Sequence, residues 1–169
     1  RFQRIGVLFL IVLGSTSFAQ SLVGEIEISG LWRTKEYVVL RELTFQMGDV
    51  VSGEDIREST IRLKNLQLFS TVEIGRSEKE DGSLKIRIDL VEKWTIIPIF
   101  KAGGGGGINY LTIGSYDINA FGRYLELGGQ YERLGSTNSG VVWFREPRFL
   151  DKRLRLGGDL WSLARNRRL

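Results

Sequence analysis

The stretch from Gly48 to Ile74, GDVVSGEDIRESTIRLKNLQLFSTVEI, decides how the first half of this chain folds. Ser52 followed three residues later by Asp55 is a capping-box pattern, in which two side chains satisfy the free N–H groups that open a helix. Behind it Ile56, Ser59, Thr60, Leu63 and Leu66 recur at helical spacing, with the charges elsewhere. Leu68 and Phe69 follow, and Val72 and Ile74 then alternate as on a strand. The helix therefore turns into a sheet almost without a loop. A large aromatic such as Phe69 is suited to plug the joint between the two layers.

Upstream, VGEIEISG (23–30) alternates Ile26 and Ile28 with acids and ends on a glycine, the pattern of a short strand. RTKEYVVLREL (33–43) predicts a first helix with Thr34 as N-cap and Val39, Leu40 and Leu43 on one side. Downstream, residues 69–94 predict a hairpin with Asp81-Gly82 in its turn and Leu84, Ile86, Ile88 and Leu90 alternating on the second strand. The expectation for residues 22–93 is an α+β domain in the order strand-helix-helix-strand-strand, one apolar sheet face covered by two helices. About 70 residues suffice for a small core.

From Trp94 onward helical periodicity disappears and Gly, Tyr, Trp and Phe become frequent. Five strands are predicted, over 95–102, 109–117, 123–133, 139–146 and 152–162, with INAFGR, LGSTNS and EPRFLDK as turns. Leu125, Leu127 and Tyr131 share one parity, and Glu126, Gln130 and Glu132 the other. In FREPRFLDKRLRLGGDLW (144–161), Leu154, Leu156 and Leu160 likewise oppose Arg155 and Asp159. Val141, Val142, Trp143 and Phe144 supply both faces of their strand, and Trp161 falls on the charged parity. In a soluble domain the leucines are the buried side. In an outer-membrane barrel they meet lipid and the charges line a wet lumen. Alternation alone leaves both readings open.

Composition removes whole classes of chemistry. The chain of 169 residues has no Cys and no His, which excludes thiol and imidazole catalysis, Cys/His zinc sites, disulfides and a lipoprotein start. No cofactor is expected. Its first residue, Arg1 rather than Met, reads as a piece of a longer frame. Arg1 and Arg4, an apolar run from Ile5 to Leu13, and small residues ending at Ala19 predict a signal peptide over 1–19 and therefore export. A spanning helix needs about 20 apolar residues, well beyond this run. Export, with Arg1 and Arg4 supplying two of the four net positive charges, argues against a nucleic-acid partner.

Other chemistry has little to stand on. AGGGGGIN (102–109) lacks the Gly-Lys-Ser/Thr ending of a phosphate loop and reads as a hairpin tip. The acid pairs Glu25/Glu27 and Glu126/Glu132 read as wet strand faces rather than a hydrolytic pair, and RNRRL (165–169) as a solvated loop stub. No enzymatic activity is expected.

The run Gly48–Ile74, with its glycine, helix and Leu-Phe pair, resembles a POTRA domain. GSYDINAFGRYLELGGQYE (114–132) and VVWFREPRFLDKRLRLGGDLW (141–161) resemble the opening strands of barrels in the outer-membrane protein assembly factor (BamA-like, bacterial surface antigen) superfamily. The resemblance implies that residues 94–169 are the N-terminal part of an outer-membrane β-barrel, about five antiparallel strands of a larger closed sheet. It implies that Leu125, Leu127, Leu154, Leu156 and Leu160 face lipid. It also implies that Ile96, Ile97, Pro98, Ile99 and Phe100 form a seam strand that closes the barrel weakly and admits client strands by edge pairing. Pro98 lacks a ladder donor, which suits an edge, though a proline near a strand start or bulge reads the same way. The implied partners are outer-membrane lipid, unfolded outer-membrane or exported polypeptides, and other envelope proteins docking on a periplasmic POTRA domain. Relatives with a single POTRA domain include barrels that display or export a passenger. The alternative is a soluble periplasmic POTRA-like module with a small antiparallel sheet, docking on a membrane complex.

Overall fold

The computed structural model describes residues 21–152 and 154–165. The signal-peptide reading of residues 1–19 and most of the basic tail lie outside them. The elements are β1 (Val23–Ser29), α1 (Glu36–Leu40), α2 (Gly53–Asn65), β2 (Phe69–Glu78) and β3 (Leu84–Glu92), followed by β4 (Ile96–Gly105), β5 (Ile108–Ala120), β6 (Leu125–Leu134), β7 (Thr137–Glu146) and β8 (Leu156–Arg165). Among the described residues no helix is long and apolar enough to cross a membrane, which says nothing of strands.

The first five elements form the expected α+β unit. β3 is central in the order β1-β3-β2, antiparallel to β2 and parallel to β1. Ile86, Ile88 and Leu90 of β3, Phe69 and Val72 of β2, and Leu63 and Leu66 at the end of α2 are buried together with Val38, Val39 and Leu68. The Ser52–Asp55 capping box is present in full: Ser52 Oγ accepts from Asp55 N–H, and Asp55 accepts from Ser52 N–H at 3.0 Å. These bonds hold the Asp55 carboxyl below its usual range, so the box is intact at neutral pH and weakens as acid protonates it. Ser52→Ala is expected to lower the melting temperature of this unit by about 4–8 °C. Thermal unfolding followed by circular dichroism checks it.

α2 ends with Gln67 in the left-handed region (φ 61), its N–H donating to Lys64 O at 3.1 Å. The helix thus closes and reverses into β2 within three residues. The other face of the sheet is polar. Lys85 reaches both Glu25 and Glu27, and Lys79 reaches Glu25 at 3.0 Å, so both carboxyls sit below their ordinary range.

α1 differs from expectation. It is barely longer than one turn and its N-cap residue is Lys35, with no side-chain cap. Thr34 is buried and spends its hydroxyl on Asn119, a residue of the second sheet. Leu40 is exposed, and Val38 takes its place beside Val39 and Leu43.

The second sheet is a meander in the order β4-β5-β6-β7-β8, antiparallel throughout, with strands of 10 to 13 residues. That length suits a tilted membrane strand. Two of its hairpin turns are tighter than the sequence suggests, whereas the β7–β8 connection is longer, with β8 starting at Leu156 rather than at 152. Gly103–Gly105 belong to β4, and only Gly106 and Gly107, both at positive φ, remain in the tip. LGSTNS likewise reduces to a two-residue connection at 135–136.

Candidate functional site: free strand edges, two sheet faces and the joint

Directly opposed residues in an antiparallel pair point to the same side, so the register sorts the second sheet into two faces. One carries Ile96, Pro98 and Phe100 of β4, Ile113 of β5, Leu127 and Tyr131 of β6, Val142 and Phe144 of β7, and Leu160 of β8. These side chains stand in solvent: Phe100 is 71% and Leu160 75% exposed, and among the described residues no second layer covers them. Leu156 lies on the same parity, opposite Glu146 and 42% exposed. Leu125 is half-buried opposite Ala120, beyond a register shift. Leu154 precedes β8 and is exposed. The ambiguity of β7 thereby resolves, with Val142 and Phe144 on the apolar face and Val141 and Trp143 on the other.

The opposite face is polar and aromatic. Glu126 accepts from the Trp143 indole at 2.7 Å and pairs with Arg145, while Asp159 and Trp161 continue the same side on β8. Tyr116, Gly128 and Trp143 stand in one cross-strand row, and the Tyr116 and Trp143 rings meet over the glycine with centroids 6.2 Å apart. A Cβ on Gly128 would lie 2.3 Å from the Trp143 ring, so the row requires glycine there.

Among the described residues β4 and β8 are the edges of this sheet, and β1 and β2 those of the smaller one. Pro98 stands opposite Ser115 with no break in register, on an edge strand, where a missing donor is tolerated. Ile97 and Ile99 of the same strand look to the polar face. Each edge leaves a row of backbone donors and acceptors available for pairing.

The sequence missed the joint between the two sheets. The β5–β6 turn lies on the segment after β1: Lys35 N–H donates to Gly122 O at 2.8 Å, and Asn119 donates to the Thr34 hydroxyl at 2.9 Å. A Cβ on Gly122 would fall 2.0 Å from Arg33 O, so backbone meets backbone here. Arg33 donates to Thr95 at 2.9 Å and pairs with Asp117, to which Thr95 also donates at 2.7 Å. Glu92 at the end of β3 accepts from the N–H groups of Arg33 and Thr34. Ile118 and Tyr124 pack against the core of the smaller domain, and burial pushes the Tyr124 phenol up.

A second clasp joins the β7–β8 turn to the residue just beyond α1. Arg148 makes a two-pronged ion pair with Glu42, at 2.7 and 2.9 Å. The Glu42 side chain is 3% exposed, and the pair raises the Arg148 guanidinium above its ordinary value. Nothing in VVLREL singled Glu42 out, since its partner lies 106 residues away.

The family described as "POTRA: Surface antigen variable number repeat" matches residues 21–93. The chain is 28% identical over 149 residues to the outer membrane protein assembly factor BamA of Nitratidesulfovibrio vulgaris, covering 82% of this chain and 18% of that protein. It is 23% identical over 145 residues to the BamA of Neorickettsia risticii, covering 85% and 20%. The chain thus spans about a fifth of the curated relatives it matches. In three dimensions it resembles the crystal structure of BamA from Haemophilus ducreyi lacking POTRA domains 1–3, with a TM-score of 0.74 at 22% identity over 85% of this chain and 27% of that one. Residues 21–93 are a POTRA domain, and the five-stranded sheet that follows has the fold of the opening strands of a BamA-like β-barrel.

Proposed function

We propose that this chain is the POTRA–barrel junction of an outer-membrane protein that inserts or translocates other polypeptides, taking client strands by β-augmentation. Its POTRA domain stands in the periplasm and its second sheet in the outer membrane. The observation that carries the reading is the second sheet itself: a largely apolar face, exposed from Phe100 to Leu160 and broken by Ser115 and Asp117, with Pro98 on its edge strand. A face of that size on a soluble domain would be an association surface, whereas in a barrel it is the lipid contact. The soluble-module alternative leaves Phe100, Ile113, Val142 and Leu160 without a partner layer.

In this reading Ile96, Ile97, Pro98, Ile99 and Phe100 form the seam. A client strand pairs with the β4 edge through main-chain hydrogen bonds, which carry little sequence preference. The POTRA edges, β1 or β2, hold the same client or another envelope protein beforehand. The work is non-covalent. Leu125, Leu127, Leu154, Leu156 and Leu160 contact lipid. Lone strands cannot rest in a bilayer, where each unpaired backbone group costs several kcal/mol, so this sheet closes with strands from the rest of the barrel.

Site-specific photocrosslinking tests the proposal. A photoreactive residue at Ile99, on the β4 edge, is expected to capture outer-membrane polypeptides during their assembly. The same residue at Tyr116, on the same face of the doubly paired strand β5, is expected to capture none. Equal adducts at both positions, or none at Ile99 while client assembly proceeds, would overturn strand capture at this seam.

A further inference from the structure

We propose that Trp32 of the POTRA domain and Trp94 of the segment joining the two sheets form, with Phe121, an anchor seated in the headgroup–acyl boundary of the periplasmic leaflet. The inference rests on the membrane reading above and adds a contact that the barrel strands alone do not make. The partner is the lipid surface itself.

Trp32 is 67%, Trp94 74% and Phe121 69% exposed, an unusual display of aromatic area on three separate segments. The fold nonetheless ties these segments to one another. Glu92 holds the backbone of Arg33 and Thr34, Arg33 holds Thr95, and Gly122 lies against Arg33 O. Each aromatic is therefore next to, or two residues from, a residue of the same hydrogen-bonded joint. Thr95 is 4% exposed and turned into that joint, which leaves its neighbour Trp94 outside it.

The level relative to the bilayer follows from strand geometry. The apolar face of β4 begins at Ile96, two residues after Trp94. At about 3.3 Å per residue and a tilt near 45°, Trp94 lies about 5 Å below Ile96 along the membrane normal. The polar boundary layer on each side of a bilayer is about 5–7 Å deep, the difference between its full and hydrocarbon thicknesses. With Ile96 at the edge of the hydrocarbon, Trp94 falls within the boundary layer, where tryptophan is enriched because its ring is apolar and its N–H polar. Lys35 and Arg123 are exposed beside Trp32 and Phe121 and suit anionic headgroups. Trp143 differs: its indole N–H is spent on Glu126 and its ring meets Tyr116.

These 169 residues contain no cysteine, so once any cysteine elsewhere in the complete reading frame is replaced by serine, single environment-sensitive labels can be placed by Trp32→Cys, Trp94→Cys, Phe100→Cys and Glu80→Cys. The protein is folded into vesicles of phosphatidylethanolamine and phosphatidylglycerol carrying nitroxides either high on the acyl chain or at its end. Labels at 32 and 94 are expected to lose emission to the shallow nitroxide more than to the deep one. The label at 100 should respond to the deep nitroxide, and the label at 80, at the POTRA hairpin tip, only to an aqueous quencher. Aqueous-only quenching at 32 and 94 beside lipid quenching at 100 overturns the anchor and leaves the barrel reading standing. Aqueous-only quenching at 100 overturns both. Should a labelled variant fail to fold, intrinsic fluorescence serves: Trp32→Phe with Trp94→Phe should remove emission quenched by shallow brominated lipid. An unchanged quenched fraction overturns the anchor.

Discussion

Arg148→Ala is expected to release the POTRA domain from the β7–β8 turn. Arg148 supplies both hydrogen bonds that the Glu42 carboxylate receives across the joint, and the Glu42 side chain is 3% exposed. Removing one partner of a buried pair strands the other charge, at a cost of about 3–5 kcal/mol. Opening the joint returns Glu42 to water, so the cost is met by undocking rather than by unfolding of the domain. Spin labels at Glu80 and Lys152 should show one narrow distance in the parent protein and a broad distribution in Arg148→Ala. Glu42→Leu combined with Arg148→Leu removes both charges and keeps apolar volume, and should narrow the distribution again. A distribution as narrow in Arg148→Ala as in the parent would show that this clasp does not hold the domain.

The elements built from near neighbours were legible in the sequence. The Ser52–Asp55 box, the face of α2 and the alternation of β2 and β3 are each set within a few residues, and each appears in the structure. The five strands of the second sheet were legible for the same reason. Their ends were not, because a run of glycines reads as loop until its partner strand is known. Gly103 to Gly105 extend β4 because Ile108 to Tyr110 stand opposite them. The faces of β7 needed register rather than composition, since Val142 and Phe144 differ from Val141 and Trp143 only in what they oppose.

The joint was illegible for a physical reason. Its contacts between the segment read as a helix start and the turns read as solvent loops span from 82 residues, Arg41 to Arg123, to 110, Arg41 to Asp151. Thr34 looks like an N-cap because capping depends on local sequence, yet it is taken by Asn119, which no local pattern reports. Turn residues with unspent polar side chains, such as Asn119 and Arg148, were the one available signal. Such residues point to the connections of the sheet, without naming the surface they dock on.

Phe69→Ala is expected to remove most of the stability of the POTRA domain. Phe69 is 3% exposed at the first position of β2, opposite Glu92, directly after the reversal at Gln67. It packs into the cluster in which the end of α2, through Leu63 and Leu66, meets Ile86, Ile88 and Leu90 of β3. The chain there cannot shift to fill a void, because Lys93 N–H holds Leu68 O at 2.8 Å on one side and the helix closure holds the other. Deleting a buried aromatic costs about 3–5 kcal/mol when its surroundings cannot collapse. A domain of this size has roughly 4–11 kcal/mol in all. With a urea dependence of about 1 kcal/mol per molar, the denaturation midpoint of residues 21–93 should fall by roughly 3 M or the cooperative transition should disappear. Phe69→Leu keeps most of the volume and should retain a transition at a modestly lower midpoint. If Phe69→Ala melts where the parent does, the helix-to-sheet junction is held by something other than this side chain, and Leu68, fully buried beside it, becomes the residue to test.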